Sequence, residues 1–273
     1  MPLAVVTGAR SDRGTVRPHN EDSGYAGRRL ALVADGVGGS AAGDVASAIV
    51  IGELLPLDDR DDEQHPHEDP ASALGAAIAR AQDALVEHAD QHPETAGMGT
   101  TLTALMATDD DVVLAHIGDS RAYRRSPGGP LEQVTRDDTY VQQLVDEGHL
   151  TPEQADSHPM GNIITACLGT AGSDSTPVLS RHAAGVGDRW LLCSDGLSGV
   201  LSVETMQRVM DEEPSAWMCS LRLVELALRA GATDNVTCVV VAVVQDDQVL
   251  PFPPRLVGAA ADGTDADGYG LHL

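Results

Sequence analysis

Short aliphatic runs that meet an aspartate at one end constrain this chain more than any other feature. LALVA at 30–34 gives way to Asp35 and Gly36, VVLAHI at 112–117 to Gly118 and Asp119, and WLLCS at 190–194 to Asp195 and Gly196. Asp234 stands just ahead of VTCVVVAVV at 236–244. Apolar runs this short, bounded by turn residues, read as buried strands. One aspartate at a strand end is ordinary turn or cap chemistry. Several, at the ends of several buried runs, are harder to dismiss. If the strands share a sandwich, their ends converge on one rim, and the carboxylates must face one another.

Other strand-like segments are LAVVT at 3–7, TTLTALMA at 100–107 and RAYRR at 121–125. TTLTALMA and DVVLAHI, separated by Thr108–Asp110, predict a hairpin. Helices are predicted over about 41–55, 71–91, 138–148, 203–211 and 215–230. In the second, Leu74, Ile78, Ala81 and Leu85 recur at helical spacing. Ser202, followed by Glu204 and an apolar pattern, marks a helix start. With one Phe, two Trp and four Tyr, the core must be aliphatic. The charge-dense LDDRDDEQHPHEDP at 57–70 reads as a solvated connector, and its His65 and His67 sit among unpatterned carboxylates, weak grounds for a metal site. Pro, Gly, Ala and Asp without periodicity predict a flexible tail over 248–273, after a single domain over 1–247.

The formal net charge is −25, from 42 acids and 17 bases, which disfavours nucleic acid and anionic lipid as partners. All 17 bases are arginine. Without lysine the chain cannot be a P-loop NTPase or a protein kinase of the usual kind, and lysine Schiff-base chemistry is closed to it. None of Cys167, Cys193, Cys219 and Cys238 forms a C-x-x-C pair, and Cys193 and Cys238 lie inside apolar runs, as free thiols do in a reducing cytoplasm. MPLAVVTGARSDRG lacks the basic and apolar regions of a signal peptide, and VTCVVVAVV is too short for a membrane helix of ~20 residues. The expectation is a cytoplasmic protein, monomeric and without membrane insertion.

RPHNED adds Glu21 and Asp22 to the strand-end acids, with Arg17 four residues before Glu21. Oxygen-only ligands favour hard divalent ions, Mg²⁺, Mn²⁺ or Ca²⁺, over zinc. Two such ions ~3.5–4 Å apart lower the pKa of a shared water and clamp an in-line phosphoryl displacement. The glycines of DGVGG allow close backbone approach, so the Gly36 carbonyl joins the candidate ligands. Arg17 is then the natural fork for a phosphate ester.

SDRGTVRPHNEDSG, ALVADGVGGSAAGDVAS, GMGTTLTALM, LAHIGDSRAYR, WLLCSDGLSGVLS and GATDNVTCVVV, in that order, resemble the motifs of the bacterial metal-dependent serine/threonine protein phosphatases, the PPM or type 2C class. The resemblance covers about residues 8 to 244. It implies an α+β fold, a four-layer α-β-β-α sandwich of two antiparallel sheets flanked by helices, with a flap over about 137–166 beside the site. It implies hydrolysis of phosphoserine and phosphothreonine by direct attack of a water held between two Mn²⁺ or Mg²⁺ ions. Asp35 resembles the carboxylate bridging both ions, and Asp195 and Asp234 resemble ligands of the first. The Gly36 carbonyl, and Glu21 through water, resemble ligands of the second; Asp22 and Asn235 resemble supporting groups. Asp119 resembles the acid that holds a third, weaker ion with Asp195. Arg17 resembles the phosphate-binding arginine. The implied partners are phosphoproteins and a Ser/Thr kinase whose work is reversed. The chain departs from the pattern at Val37, where eukaryotic members often carry His, and at Gly161 and Ala166, where bacterial members often carry Arg.

Rival chemistries fit less well. No cysteine is followed by arginine at the spacing of a cysteine phosphatase. DDDVV at 109–113 could open an aspartyl-nucleophile site, but it falls in the predicted hairpin and the usual lysine is missing. An inactive, phosphatase-like binding module should have lost metal acids, whereas Asp35, Asp195 and Asp234 are all present.

Overall fold

A computed structural model describes residues 3–37, 42–59, 69–155, 158–169, 176–245 and 253–262. One antiparallel sheet contains β1 (Leu3–Asp12), β12 (Val236–Gln245), β11 (Arg189–Cys193), β7 (Arg121–Arg125) and β8 (Leu131–Gln133), in that spatial order. The other runs β10 (Val178–Ala183), β6 (Asp111–Ile117), β5 (Leu102–Ala107), β3 (Leu30–Val37), β2 (Asp22–Ala26) and β13 (Arg255–Gly258), with β4 (Gly99–Thr100) and β9 (Leu168–Gly169) attached beside β3. The helices are α1 (Gly43–Leu54), α2 (Pro70–Gln91), α3 (Tyr140–Asp146), α4 (Pro152–Ala155), α5 (Asp195–Ser198), α6 (Val203–Glu212), α7 (Ala216–Arg229) and α8 (Ala259–Asp262).

Strand alternation sorts the core into three layers. On β3, Leu30, Leu32 and Ala34 pack under α1 and α2, while Ala31 and Val33 face the opposite sheet. On β12, Val236, Cys238 and Val240 meet α6 and α7, while Val239, Val241 and Val243 fill the inter-sheet layer. Helix, sheet, sheet and helix therefore stack as the expected four-layer sandwich. The β5–β6 hairpin forms as the sequence predicts, and the long helices lie within a few residues of their predicted bounds.

Three readings change. β2, β8 and β10 carried no strand signal: β2 is buried at every position and is rich in Asp, Ser and Gly, and β10 is an exposed edge. The tail is ordered over Arg255–Asp262. β13 pairs with β2 from Arg255↔Ala26 to Gly258↔Ser23, and the Ala260 N–H donates to Ser23 Oγ at 3.0 Å. A sheet edge with open backbone groups needs a partner whatever the partner's periodicity; residues 263–273 lie outside the described set. Finally, Asp58, inside the supposed solvated connector, is buried, and its carboxylate accepts from Tyr25 Oη and from the N–H groups of Arg28, Arg29 and Leu30 at 2.8–3.0 Å. His65 and His67 lie outside the described residues.

The segment over about 137–166, expected as a flap, carries α3 and α4. Asp138 anchors it at both ends: its N–H donates to the Gly118 carbonyl at 2.7 Å, its carboxylate accepts from the Gly118 N–H at 2.9 Å, and its carbonyl accepts from the Thr165 N–H at 2.8 Å. Among the described residues no helix is long and apolar enough to cross a membrane.

Candidate active site

The parity that buries Ala31 and Val33 between the sheets puts Asp35 on the same side, at the end of the layer. Asp22 is its register partner on β2 and has the parity of Ala26. Both acids are thus forced into the rim of the sandwich interior by strands whose remaining inward positions are apolar or small. Asp119 follows β6, Asp195 opens α5 directly after β11, and Asp234 immediately precedes the turn into β12.

Hydroxyls support this rim. Asp22 Oδ2 accepts from Ser194 Oγ at 2.8 Å, and Ser194 Oγ accepts from the Thr237 N–H at 3.0 Å. Thr237 Oγ1 pairs with Ser11 Oγ at 2.7 Å, which accepts from Asn20 Nδ2 at 2.9 Å. On the other sheet, Thr101 Oγ1 accepts from the Asp35 N–H at 3.0 Å and meets Ser120 Oγ at 2.7 Å. Thr103 Oγ1 contacts both the Ser120 carbonyl (2.8 Å) and His116 Nδ1 (3.1 Å). The sequence signal for these groups was available: Ser or Thr at the last inward positions of otherwise aliphatic strands.

Asn235 holds the front loop in place. Its Oδ1 accepts from the Glu21 N–H at 2.8 Å, and its Nδ2 donates to the carbonyls of Arg13 (2.8 Å) and His19 (3.0 Å). That loop delivers Arg17, whose Nη2 lies 2.7 Å from Asp234 Oδ2, with the two side chains 51% and 37% exposed. Arg17 therefore stands at the solvent lip of the acids, and the charges of Asp234, Glu21 and Asp35 all reinforce its protonated form. Gly36 cannot be replaced without moving backbone: a β-carbon there would lie 2.2 Å from the Gly43 carbonyl oxygen and 2.7 Å from that of Glu21. At Gly196 the obstruction is the Asn235 carbonyl, at 1.9 Å. These contacts bring Gly36, Glu21 and the start of α1 together on one side, and Asp195, Asn235 and Asp234 on the other.

The acids disturb one another. Burial, then the charges of Asp22, Asp195, Asp119 and Asp234, push Asp35 well above the usual carboxylate range. Burial raises Asp22 and Asp119 to about 7, with the charge of Asp195 adding to each, and raises Asp195 itself, with Asp234 adding to it. Asp22 Oδ1 and Asp119 Oδ1 are buried without a hydrogen-bond partner. Among the described residues, no three His, Cys, Asp or Glu side chains already close on a single point. What exists is a ring of mutually repelling, partly unsatisfied oxygens, and such a ring fits hard cations: positive charge would relieve the repulsion and use the orphaned lone pairs. Next to Asp119 and Asp195 a cavity of about 700 Å³ opens beneath the flap.

The family model described as protein phosphatase 2C matches residues 19–226. The chain belongs to the protein phosphatase 2C family. Among its relatives, this type 2C chain is 48% identical over 263 residues to serine/threonine protein phosphatase PstP of Mycobacterium tuberculosis, covering 96% of this chain and 49% of the relative. The chain thus spans about half the length of that relative. It is 32% identical to the serine/threonine phosphatase Stp of Listeria welshimeri, over 85% of this chain and 93% of the relative. The solved catalytic domain of PstP in complex with two manganese ions superposes with a TM-score of 0.80 at 46% identity, over 89% of this chain and all of that one.

Proposed function

We propose that the chain is a metal-dependent protein phosphatase that hydrolyses phosphoserine and phosphothreonine in proteins, in the cytoplasm, reversing a Ser/Thr kinase. The observation that carries this reading is the ring of buried acids with unpartnered oxygens, met at its lip by Arg17. In this reading Asp35, Asp195 and Asp234, with the Gly36 carbonyl and Glu21, hold two Mn²⁺ or Mg²⁺ ions, and Asp119 with Asp195 holds a third. The manganese in the related PstP structure supports the choice of ion. Bound there, such ions supply Lewis acidity toward water and phosphate oxygens.

The chain's own residues do the positioning. Thr101 fixes the Asp35 backbone from one sheet, and Ser194 fixes Asp22 from the other. Asn235 sets both Glu21 and the loop that aims Arg17. Arg17 offers a planar, permanently charged fork to a phosphate ester. Val37, at the end of β3, is apolar and can transfer no proton to the leaving hydroxyl.

The test is turnover of a phosphothreonine peptide after exhaustive chelation and dialysis. Activity should vanish and return with Mn²⁺ or Mg²⁺. Full activity in the chelated protein would overturn the reading.

A further inference from the structure

The ordered part of the tail reaches the acid ring through two buried hydroxyls. β13 closes on β2 at Gly258↔Ser23, one residue from Asp22. Gly258 has a φ of +73°, and a β-carbon there would lie 2.1 Å from the Asp22 carbonyl oxygen, so the tail turns flush against the strand that carries the ring. It then enters α8, where the Ala260 N–H donates to Ser23 Oγ at 3.0 Å. Ser23 Oγ lies 2.9 Å from the Oγ of Ser47, early in α1, and Ser47 Oγ donates to the Glu21 carbonyl at 2.6 Å. Both serines are fully buried.

The protons of this chain run one way. An amide N–H only donates and a carbonyl only accepts, so each hydroxyl between them accepts from the tail side and donates toward Glu21. Ser47 has a second acceptor within reach, the Asp44 carbonyl at 3.2 Å, but the Glu21 contact is the shorter. Aligned hydrogen bonds polarise one another in a dry interior. The Glu21 carbonyl also accepts from the Gly36 N–H at 3.2 Å, and the Glu21 N–H donates to Asn235 Oδ1 at 2.8 Å. Glu21 is thus pinned on both sides of its α-carbon, once from β12 and once from the tail. A β-carbon on Gly43 would lie 3.0 Å from both Glu21 Oε2 and the Gly36 carbonyl oxygen, so these two oxygens face one spot at the start of α1.

We propose that Ser23 and Ser47 are positioning residues for the site, and that Arg255–Asp262 acts through them to set how tightly the Glu21–Gly36 side of the ring holds a divalent ion. The proposal rests on the phosphatase reading, in which Glu21 and the Gly36 carbonyl serve one of two ions. Hydrogen bonds that orient the ligands of an ion without touching it carry about ten- to hundred-fold in affinity. Loss of either hydroxyl leaves every acid of the ring and Arg17 in the chain, so the effect falls on one ion rather than on both.

The experiment is calorimetric titration of Mn²⁺ into the wild-type chain, Ser47→Ala and Ser23→Ala, with melting in chelator to establish that each is folded. In Ser47→Ala one of the two Mn²⁺ affinities should fall by about ten-fold and the other stay within about two-fold. Ser23→Ala, and a chain cut before Pro253, should show the same pattern with a smaller loss. Ser47→Thr, which keeps the hydroxyl, should recover the affinity. Leu105→Ala, destabilised far from these serines, should leave both affinities within about two-fold, which separates positioning from loss of stability. Unchanged Mn²⁺ binding in both alanine variants, or an equal loss at both sites, would overturn the proposal and leave the phosphatase reading standing. Absence of Mn²⁺ binding by the wild-type chain would overturn both.

Discussion

The inter-sheet layer has two ends built from the same strands, and they differ in kind. Followed inward from the rim, Asp35 on β3 gives way to Val33 and Ala31, Thr103 on β5 to Leu105, His116 on β6 to Leu114, and Thr237 on β12 to Val239 and Val241. Ser194, just past β11, gives way to Leu192 and Trp190. Each strand changes from polar to aliphatic at the next inward position. One end gains stability from apolar burial, at about 25 cal/mol per Å² removed from water. The other buries carboxylates against one another, an arrangement that opposes folding unless cations join it. The fold is secured at one end and the chemistry held at the other, so the two should respond oppositely to substitution.

Asp35→Asn should separate them most sharply. On the proposed reading, turnover of phosphopeptide should fall by at least about 10³-fold, because an oxygen ligand proposed to be shared by two ions would be lost with its charge. The melting temperature in chelator should hold or rise, because a repelling charge has gone. Loss of stability in the chelated variant would show that the acid end also supports the fold. Leu105→Ala should do the reverse, lowering stability by about 2–5 kcal/mol. At 25 °C, activity per folded molecule should stay within about two-fold, read by denaturant titration and kinetics on the same samples.

Removing residues from Pro253 onward should cost less, about 1–3 kcal/mol, through the open edge of β2 and the lost burial of Ala260. Scanning calorimetry should show it as a fall of about 2–4 °C per kcal/mol. An unchanged melting temperature would mean that β13 contributes no net stability.

The smallest effect concerns pH. In the fold Asp22 and Asp119 titrate at about 7, raised from 3.8. Between those values the folded state binds more protons than the unfolded chain, so these acids make chelated protein lose stability as pH rises from about 4 through about 7. Added Mn²⁺ should flatten or reverse that slope in a melting series. A chelated protein whose stability climbs steadily across the interval would contradict the mutual raising of these acids.

Much of this was legible before any coordinates, for a physical reason. Asp35, Asp119 and Asp195 sit where aliphatic runs end, and an abrupt change of polarity at a buried strand end survives in one dimension. The layers came from the family resemblance, because alternation alone does not say which sheet a strand joins. β2 was missed because its inward residues are Asp22, Gly24 and Ala26, which carry no apolar signal. β13 was missed because four residues, RLVG, are too few to show alternation, and α8 because AAAD carries no apolar stripe. Asp58 was misjudged because it stands in a charge-dense run of sequence and only its fold partners distinguish it. The pairing of Arg17 with Asp234 and of Arg121 with Asp137 joins residues distant in sequence, or hidden in a turn, and needed the structure.

β1 pairs with β12 along its whole length, from Leu3↔Gln245 to Asp12↔Val236. The earliest described strand of this domain in chain order is therefore completed by one of its latest. Asp22 and Asp35 come early in the domain, but Asp195, Asp234 and the Asn235 clasp come some 160 residues later or more in chain order. Contacts of such sequence separation form late and slowly. A nascent or prematurely terminated chain carries half of the acid ring and no clasp, so the assembled site appears only with a finished domain.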